Sequence, residues 1–213
     1  MVLSVTTNVD EVCFRLRGSR LAAGWIGVAA GADSVGVDCG HLEAWECGQN
    51  IPGREQIAQV AATFQVSSEF IRGGRPTTAR ERLAERLAAI LRSAEGRLDV
   101  LAQEWPKRLK LLREKHPFAD IDDAAYNCGR LLQTILKHER EEIPQNIDFQ
   151  IGYALALRAR PEFAVLTVLP LHPRPHEQVE WWEPLPSSSM RLLGKEIGKE
   201  WMRKLANAIE GFY

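Results

Sequence analysis

The sequence predicts a mainly α-helical protein in two domains. Residues 10–75 are expected to form an N-terminal bundle of five short helices, and residues 79–213 a mostly helical C-terminal domain with a small β-hairpin. Three observations support this fold class. Apolar residues recur at spacings of three and four, glycine or proline separates the repeating segments, and the run GGRPTT at 73–78 divides the chain.

Composition restricts the class of protein. The chain is 45% hydrophobic and 26% charged, which is typical of a globular protein and excludes a fibrous or disordered one. It contains no apolar run of the roughly 18 residues that a membrane span needs, and its first residues do not have the pattern of a secretory signal. We therefore expect a cytoplasmic protein that does not associate with membranes.

The four cysteines are Cys13, Cys39, Cys47 and Cys128. Because no two of them form a CxxC pair, we expect reduced thiols and neither a disulfide framework nor a zinc site.

The charge distribution differs along the chain. Residues 1–75 carry six arginines against eight acidic residues, whereas residues 79–116 carry ten basic against six acidic residues. Because a nucleic-acid-binding domain is usually basic, this balance argues against strong DNA affinity in the first 75 residues alone.

The first helices are recognised by their apolar spacing and their ends. The first places Val12, Leu16 and Leu21 on its inner face and is expected to end near Gly24, since glycine tolerates the left-handed conformation of a helix C-terminus. A second helix covers residues 29–35.

The third helix begins after Asp38, within the stretch GVDCGHLEAWECG at 36–48. The Asp38 carboxylate is expected to cap the helix by accepting from the backbone N–H of Gly40 or His41. The other signals are two inward residues, Leu42 and Trp45, and two glycines, Gly36 and Gly48, that bound the segment.

A fourth and a fifth helix follow. Pro52 is expected to open the fourth, and Ser67 to cap the fifth, which ends at Gly73 and Gly74. The apolar residues of the fourth helix are Ile57, Val60, Ala61 and Phe64.

The C-terminal domain opens with an amphipathic pattern over about three heptads. Its apolar residues are Leu83, Leu87, Leu91, Ala94, Leu98, Leu101 and Trp105. The pattern predicts one helix that breaks or kinks at Pro106, which cannot donate a backbone hydrogen bond. Two alternatives remain open for this apolar seam: a coiled-coil dimer contact, or packing within its own domain.

Further helical patterns cover residues 107–115, 121–142 and 147–158. The segments FAVLTVLPL at 163–171 and VEWWEPL at 179–185 are predicted to be two strands of a hairpin joined by a proline-rich turn. A closing helix follows Ser187.

Several N-terminal residues together resemble the Cro/CI-like (XRE-type) helix-turn-helix family over residues 12–75. They are Arg15-Leu16-Arg17, Gly24, Ala29 and Ala30, Gly36-Val37, Leu42, Trp45-Glu46, Gly48, Pro52 and the ending VSSEFIRGG. The resemblance implies five helices around a small core, with the third helix lying in the major groove of DNA.

The same resemblance implies which residues contact DNA. By this resemblance the groove-facing residues of the third helix are Cys39, Gly40, His41, Glu43 and Ala44. Because of their positive charge, Arg17, Arg20 and Arg54 outside the helix are also expected to bind DNA, through its phosphates. Arg15, Arg72 and Arg75 are further candidates for phosphate contacts. The resemblance also implies that Glu46 pairs with an arginine of the first helix, either Arg17 or Arg20, in a structural role.

The sequence departs from the family at the positions where DNA-contacting side chains are common. The second helix begins with Gly27, Val28 and Ala29, which offer no side-chain donor. The third helix contains no lysine or arginine, and phosphates repel its Glu43, although a carboxylate can accept from cytosine N4. The backbone N–H groups of Gly40 and His41 remain candidates to hold a phosphate. We therefore expect peripheral arginines and dimer symmetry to supply most of the affinity.

These observations predict a sequence-specific DNA-binding transcriptional regulator. It would occupy an operator on double-stranded DNA as a homodimer, with no catalytic residues, no metal and no cofactor. The alternative is a protein-interaction adaptor or antitoxin-like partner whose helix-turn-helix scaffold has lost DNA binding, and a protein partner of the C-terminal domain fits either view. An enzyme using His138, or His172 with His176, is a third alternative, but an exposed helix end and a plain turn explain these histidines better.

Overall fold

The computed structural model describes residues 9–114, 137, 140, 142, 146–156 and 159–166. These residues are mainly helical, which confirms the mainly α-helical class. The helices are α1 (Val9–Ala22), α2 (Val28–Val35), α3 (Cys39–Glu46), α4 (Arg54–Phe64), α5 (Ser68–Ile71), α6 (Ala79–Ala94), α7 (Leu98–Ala102), α8 (Trp105–Glu114), α9 (Ile147–Ala156) and α10 (Pro161–Leu166). The chain divides into two compact units between Arg92 and Ser93.

The ends of the first helices follow the signals in the sequence. Gly36 closes α2 in the left-handed conformation, at φ 80°, and its N–H donates to the carbonyls of Ala32 and Asp33. The Ser67 hydroxyl caps α5 by accepting from the Phe70 N–H. One boundary differs, because α4 begins at Arg54 and its N-cap is Gly53 rather than the preceding proline.

Helices α1 to α5 share one apolar core. The residues predicted to face inward are at most 5% exposed: Val12, Leu16, Leu21, Leu42, Trp45, Ile57, Val60, Ala61 and Phe64. The apolar spacing in the sequence therefore identified this core correctly.

Helix α6 packs closely on α1. A Cβ atom added at Gly18 would overlap the carbonyl oxygen of Ala84, so the two backbones touch where α1 has no side chain. Farther along, Arg92 Nη2 lies 2.7 Å from Glu11 Oε2. Helix α6 therefore belongs to the first unit as far as Arg92.

The segment 73–78, expected to separate two domains, lies inside the first unit. Arg15 Nη1 donates to the carbonyls of Phe70 and Gly74, at 2.6 and 2.7 Å. The Glu81 carboxylate accepts from the Thr77 N–H at 2.7 Å. These contacts attach the segment to α1 and α6.

The apolar seam of residues 83–105 does not form one helix, so that prediction is wrong. Helix α6 ends at Ala94, and Gly96 then adopts a left-handed conformation at φ 69°. Pro106 does not break a helix either. It lies in the first turn of α8, where its missing N–H has no intrahelical partner to lose.

Burial assigns part of the seam to packing within the chain. Leu87 and Leu91 are 0% and 3% exposed, so they pack within the chain and are not available as a dimer contact. Leu98, in contrast, is not buried, because 43% of its surface is exposed.

The second unit is built from α7 to α10 over the residues that the structure describes. Trp105 Nε1 donates to the Val165 carbonyl at 3.1 Å, and Arg108 Nη1 donates to the Phe163 carbonyl at 3.0 Å. These bonds join α8 to α10.

The strand predicted for residues 163–171 is wrong in its first part, because residues 163–166 belong to α10. Periodicity cannot separate a short apolar strand from a buried helix. Pro161, at the first position of α10, is a helix-start signal that the strand interpretation ignored.

The remaining predictions for the C-terminal domain lie outside the described residues. They concern residues 167–171, the second strand, the closing helix, most of the helix at 121–142, and the candidates His138, His172 and His176. None of the described helices combines the length and apolarity that crossing a bilayer requires.

Candidate nucleic-acid interface

The inner face of α3 fixes the helix on the core. Leu42 and Trp45 are 0% and 5% exposed, and the helix contacts α1 and α2. Residues three apart on a helix share a face, so these two side chains turn the opposite face outward. The orientation of α3 thus follows from its apolar spacing.

A buried ion pair attaches α3 to α1. Arg20 Nε and Nη2 donate to the two carboxylate oxygens of Glu46, at 2.7 and 2.8 Å. The Arg20 and Glu46 side chains are 0% and 3% exposed. The same guanidinium donates to the carbonyl of Trp25 at 2.7 Å.

Arg20 was expected either to pair with Glu46 or to contact DNA, and this geometry distinguishes the two roles. It is the partner of Glu46, and its guanidinium is enclosed in the core, where it cannot reach a phosphate. Arg20 is therefore not a DNA-contacting residue. Helix α2 covers it closely, since a Cβ added at Gly31 would lie 2.5 Å from Arg20 Cδ.

The residues of α3 that were expected to contact DNA lie mostly on its outer face. Cys39, Gly40, His41 and Glu43 are exposed, and Ala44 is half-buried. The His41 ring stacks on Trp45, with ring centroids 6.5 Å apart and planes 14° apart. This stacking places the imidazole beside an inward-facing side chain.

The N-terminus of α3 is already occupied by its own cap. Asp38 Oδ1 accepts from the Gly40 N–H at 2.8 Å, as the sequence predicted. The His41 N–H donates to the Asp38 carbonyl at 3.1 Å. Both N–H groups that were candidates to hold a phosphate therefore have partners within the chain.

The surroundings of α3 are acidic. Partial burial raises the pKa of the Cys39 thiol, and the carboxylates of Glu43, Asp38 and Asp33 raise it further. Asp33, Asp38 and Glu43 are all exposed. The negative charge at this end of α3 thus favours the protonated form of the Cys39 thiol and repels an anion such as a phosphate.

The raised pKa gives a testable consequence. A higher thiol pKa lowers the thiolate fraction at a given pH, so Cys39 should react slowly with iodoacetamide at pH 8 although it is exposed. Removing one of the responsible charges by Glu43→Gln should speed alkylation of Cys39 by about twofold or more. Mass spectrometry of the peptide that contains Cys39 measures the rate.

The matched control is Glu69→Gln, which removes an exposed carboxylate on α5 and should leave the rate at Cys39 unchanged. Equal rates for Glu43→Gln and the wild type would contradict the assigned role of the Glu43 charge.

The arginines outside α3 fall into two groups. Arg15 is buried and donates to Phe70 and Gly74, so it is excluded as a phosphate contact. Arg54 is exposed at the first position of α4, immediately after the α3–α4 loop. The other candidates are Arg75, which is exposed, and Arg17 and Arg72, which are half-buried.

Two further polar residues near α3, Gln49 and Asn50, were not among the DNA-contacting residues expected from the sequence. Both are exposed in the loop between α3 and α4, and their N–H groups donate to the Ala44 carbonyl, at 2.9 and 3.2 Å. Two adjacent amides between Gly48 and Pro52 were the available signal, because such side chains both donate and accept hydrogen bonds.

Comparison of the chain with family models, with curated proteins and with solved structures finds no match. Among the described residues, no three histidine, cysteine or acidic side chains are grouped so that they could hold a metal ion.

Proposed function

We propose that the first unit contains a Cro/CI-like helix-turn-helix domain that binds double-stranded DNA through the outer face of α3. The protein would be a cytoplasmic transcriptional regulator that occupies an operator as a homodimer and performs no chemistry. The observation that carries the proposal is the geometry of α3. Its inner face is fixed by Leu42, Trp45 and the Arg20–Glu46 pair, while the residues nominated for base contact lie on its outer side.

The charges make the expected affinity low and strongly dependent on salt. With Arg15 and Arg20 buried, Arg54 and Arg75 are the exposed candidates for phosphate contacts, with Arg17 and Arg72 partly accessible. Each phosphate contact contributes through release of counterions, so a small number of contacts gives weak binding at physiological salt. A dimer would compensate, because the second half-site binds at a high effective concentration.

Arg54 provides the test. We expect the full chain to retain duplex DNA from a random pool at low salt. Arg54→Ala should weaken binding and reduce the slope of log affinity against log salt concentration by about one. The control is Arg82→Ala, which removes the same charge from an exposed position on α6 and should leave the slope unchanged. Failure of the wild-type chain to retain any duplex at low salt would overturn the proposal.

A second function is favoured by the acidic end of α3. Asp33, Asp38 and Glu43 are exposed there, and the Gly40 and His41 N–H groups are engaged by Asp38. In a protein-interaction adaptor or antitoxin-like partner this acidic surface would not weaken binding, because such a protein does not need to approach phosphates. Under this alternative, neither the wild-type chain nor Glu43→Gln retains duplex DNA at low salt.

A further inference from the structure

Two side chains on the outer face of α3 have strong hydrogen-bonding groups. Among the exposed or half-buried positions 39–44, Gly40 and Ala44 offer no polar side chain, and the Cys39 thiol is a weak donor whose raised pKa keeps it protonated. His41 and Glu43 remain. The His41 ring stacks on Trp45, whereas Glu43 is exposed two positions farther along the helix.

A carboxylate only accepts hydrogen bonds, so Glu43 can read only a base that presents a donor. In the major groove the donors are cytosine N4 and adenine N6, whereas guanine and thymine present acceptors to the groove. Guanine O6 or thymine O4 opposite Glu43 would face a carboxylate with no proton between them. The side chain thus selects by repulsion as well as by attraction.

Cytosine fits this acceptor better than adenine does. The cytosine N4 amino group has an acceptor on one side only, the O6 of the paired guanine, and the C5–H on the other. The adenine N6 amino group lies between two acceptors, thymine O4 and its own N7, and N7 repels the second carboxylate oxygen. We infer that Glu43 specifies a cytosine in each operator half-site by accepting a hydrogen bond from its N4 amino group. This inference rests on the proposed function, and it names the base that α3 reads.

The test is selection of duplex DNA from a random pool at low salt with the full wild-type chain, Glu43→Gln and Glu43→Ala. The wild type should enrich a motif with cytosine at one fixed position. Glu43→Gln should change that position to adenine, because an amide both donates to N7 and accepts from N6. Glu43→Ala should lose the preference there. Replacing the cytosine in the selected duplex should weaken wild-type binding about tenfold or more.

A matched variant and the possible outcomes separate this inference from the proposed function. Glu69→Gln, on α5, should leave the motif unchanged. A motif without cytosine, or one whose base is the same for the wild type and Glu43→Gln, overturns the inference while DNA binding stands. Retention of no DNA by the wild type overturns the proposed function and this inference together.

Discussion

Arg20→Met is expected to lower the free energy of unfolding by about 3–5 kcal/mol, because it leaves the Glu46 carboxylate buried without its cation. Both side chains are almost fully enclosed, and two hydrogen bonds join them. The variant also removes the donor to the Trp25 carbonyl. Urea denaturation followed by circular dichroism measures the loss.

Two controls show whether burial is the cause. Arg92 pairs with Glu11 at a position where the Arg92 side chain is 43% exposed, so Arg92→Met should cost only about 0–1 kcal/mol. Combining Arg20→Met with Glu46→Leu should recover part of the loss, because no buried charge then remains. If Arg20→Met and Arg92→Met cost the same, the Arg20–Glu46 pair does not hold α3 on α1 in the manner described.

The first unit was predictable where local chemistry sets the structure. The Asp38 carboxylate and the Ser67 hydroxyl each cap a helix through a hydrogen bond to a backbone N–H two or three residues away, which depends only on local sequence. Gly36 closes α2 because the turn needs a positive φ. The five helices and their inward residues follow from such signals, and so does the exposed face of α3.

Choices that depend on tertiary contacts were beyond the sequence. Arg17 and Arg20 lie three apart on α1, and only the packed structure shows that Arg20 is the one that reaches Glu46. The seam differs, because Gly96 is a local helix-ending signal that the apolar periodicity up to Trp105 overrode in the prediction. A buried helix and a short strand share one apolar pattern, which explains the mistaken strand at 163–166.

The segment at 73–78 shows a signal that was present and not used. Thr78 and Glu81 form a capping box, in which the Thr78 hydroxyl accepts from the Glu81 N–H and the Glu81 carboxylate accepts from the Thr78 N–H, both at 3.1 Å. Glycine and proline indicated a linker, but this pattern indicated the start of a helix. The capping box explains why the segment leads directly into α6.

Glu81→Gln is expected to lower the free energy of unfolding at pH 7 by about 3 kcal/mol, because it replaces a charged acceptor of several hydrogen bonds with a neutral amide. Glu81 is 1% exposed, and its carboxylate accepts from the N–H groups of Ser67 and Thr77, at 2.8 and 2.7 Å. The amide nitrogen of the variant would face one of these donors. The side chain joins the start of α5 to the start of α6, so one helix start would lose its acceptor and the other would keep only a neutral one.

The pH dependence distinguishes this carboxylate from a merely well-packed residue. Burial raises the pKa of Glu81, but hydrogen bonds from Ser67 and Thr77 outweigh burial and hold the pKa well below its ordinary value of 4.5. A pKa that is lower in the folded state gives stability that is present above the unfolded pKa and is lost as the pH falls below it. The difference in unfolding free energy between wild type and Glu81→Gln should therefore be constant from pH 7 to about 5 and shrink below about 4.5. Urea titrations at pH 7, 5 and 3 measure it, and a difference that stays the same at pH 3 would show that the Glu81 charge does not stabilise the junction of α5 and α6.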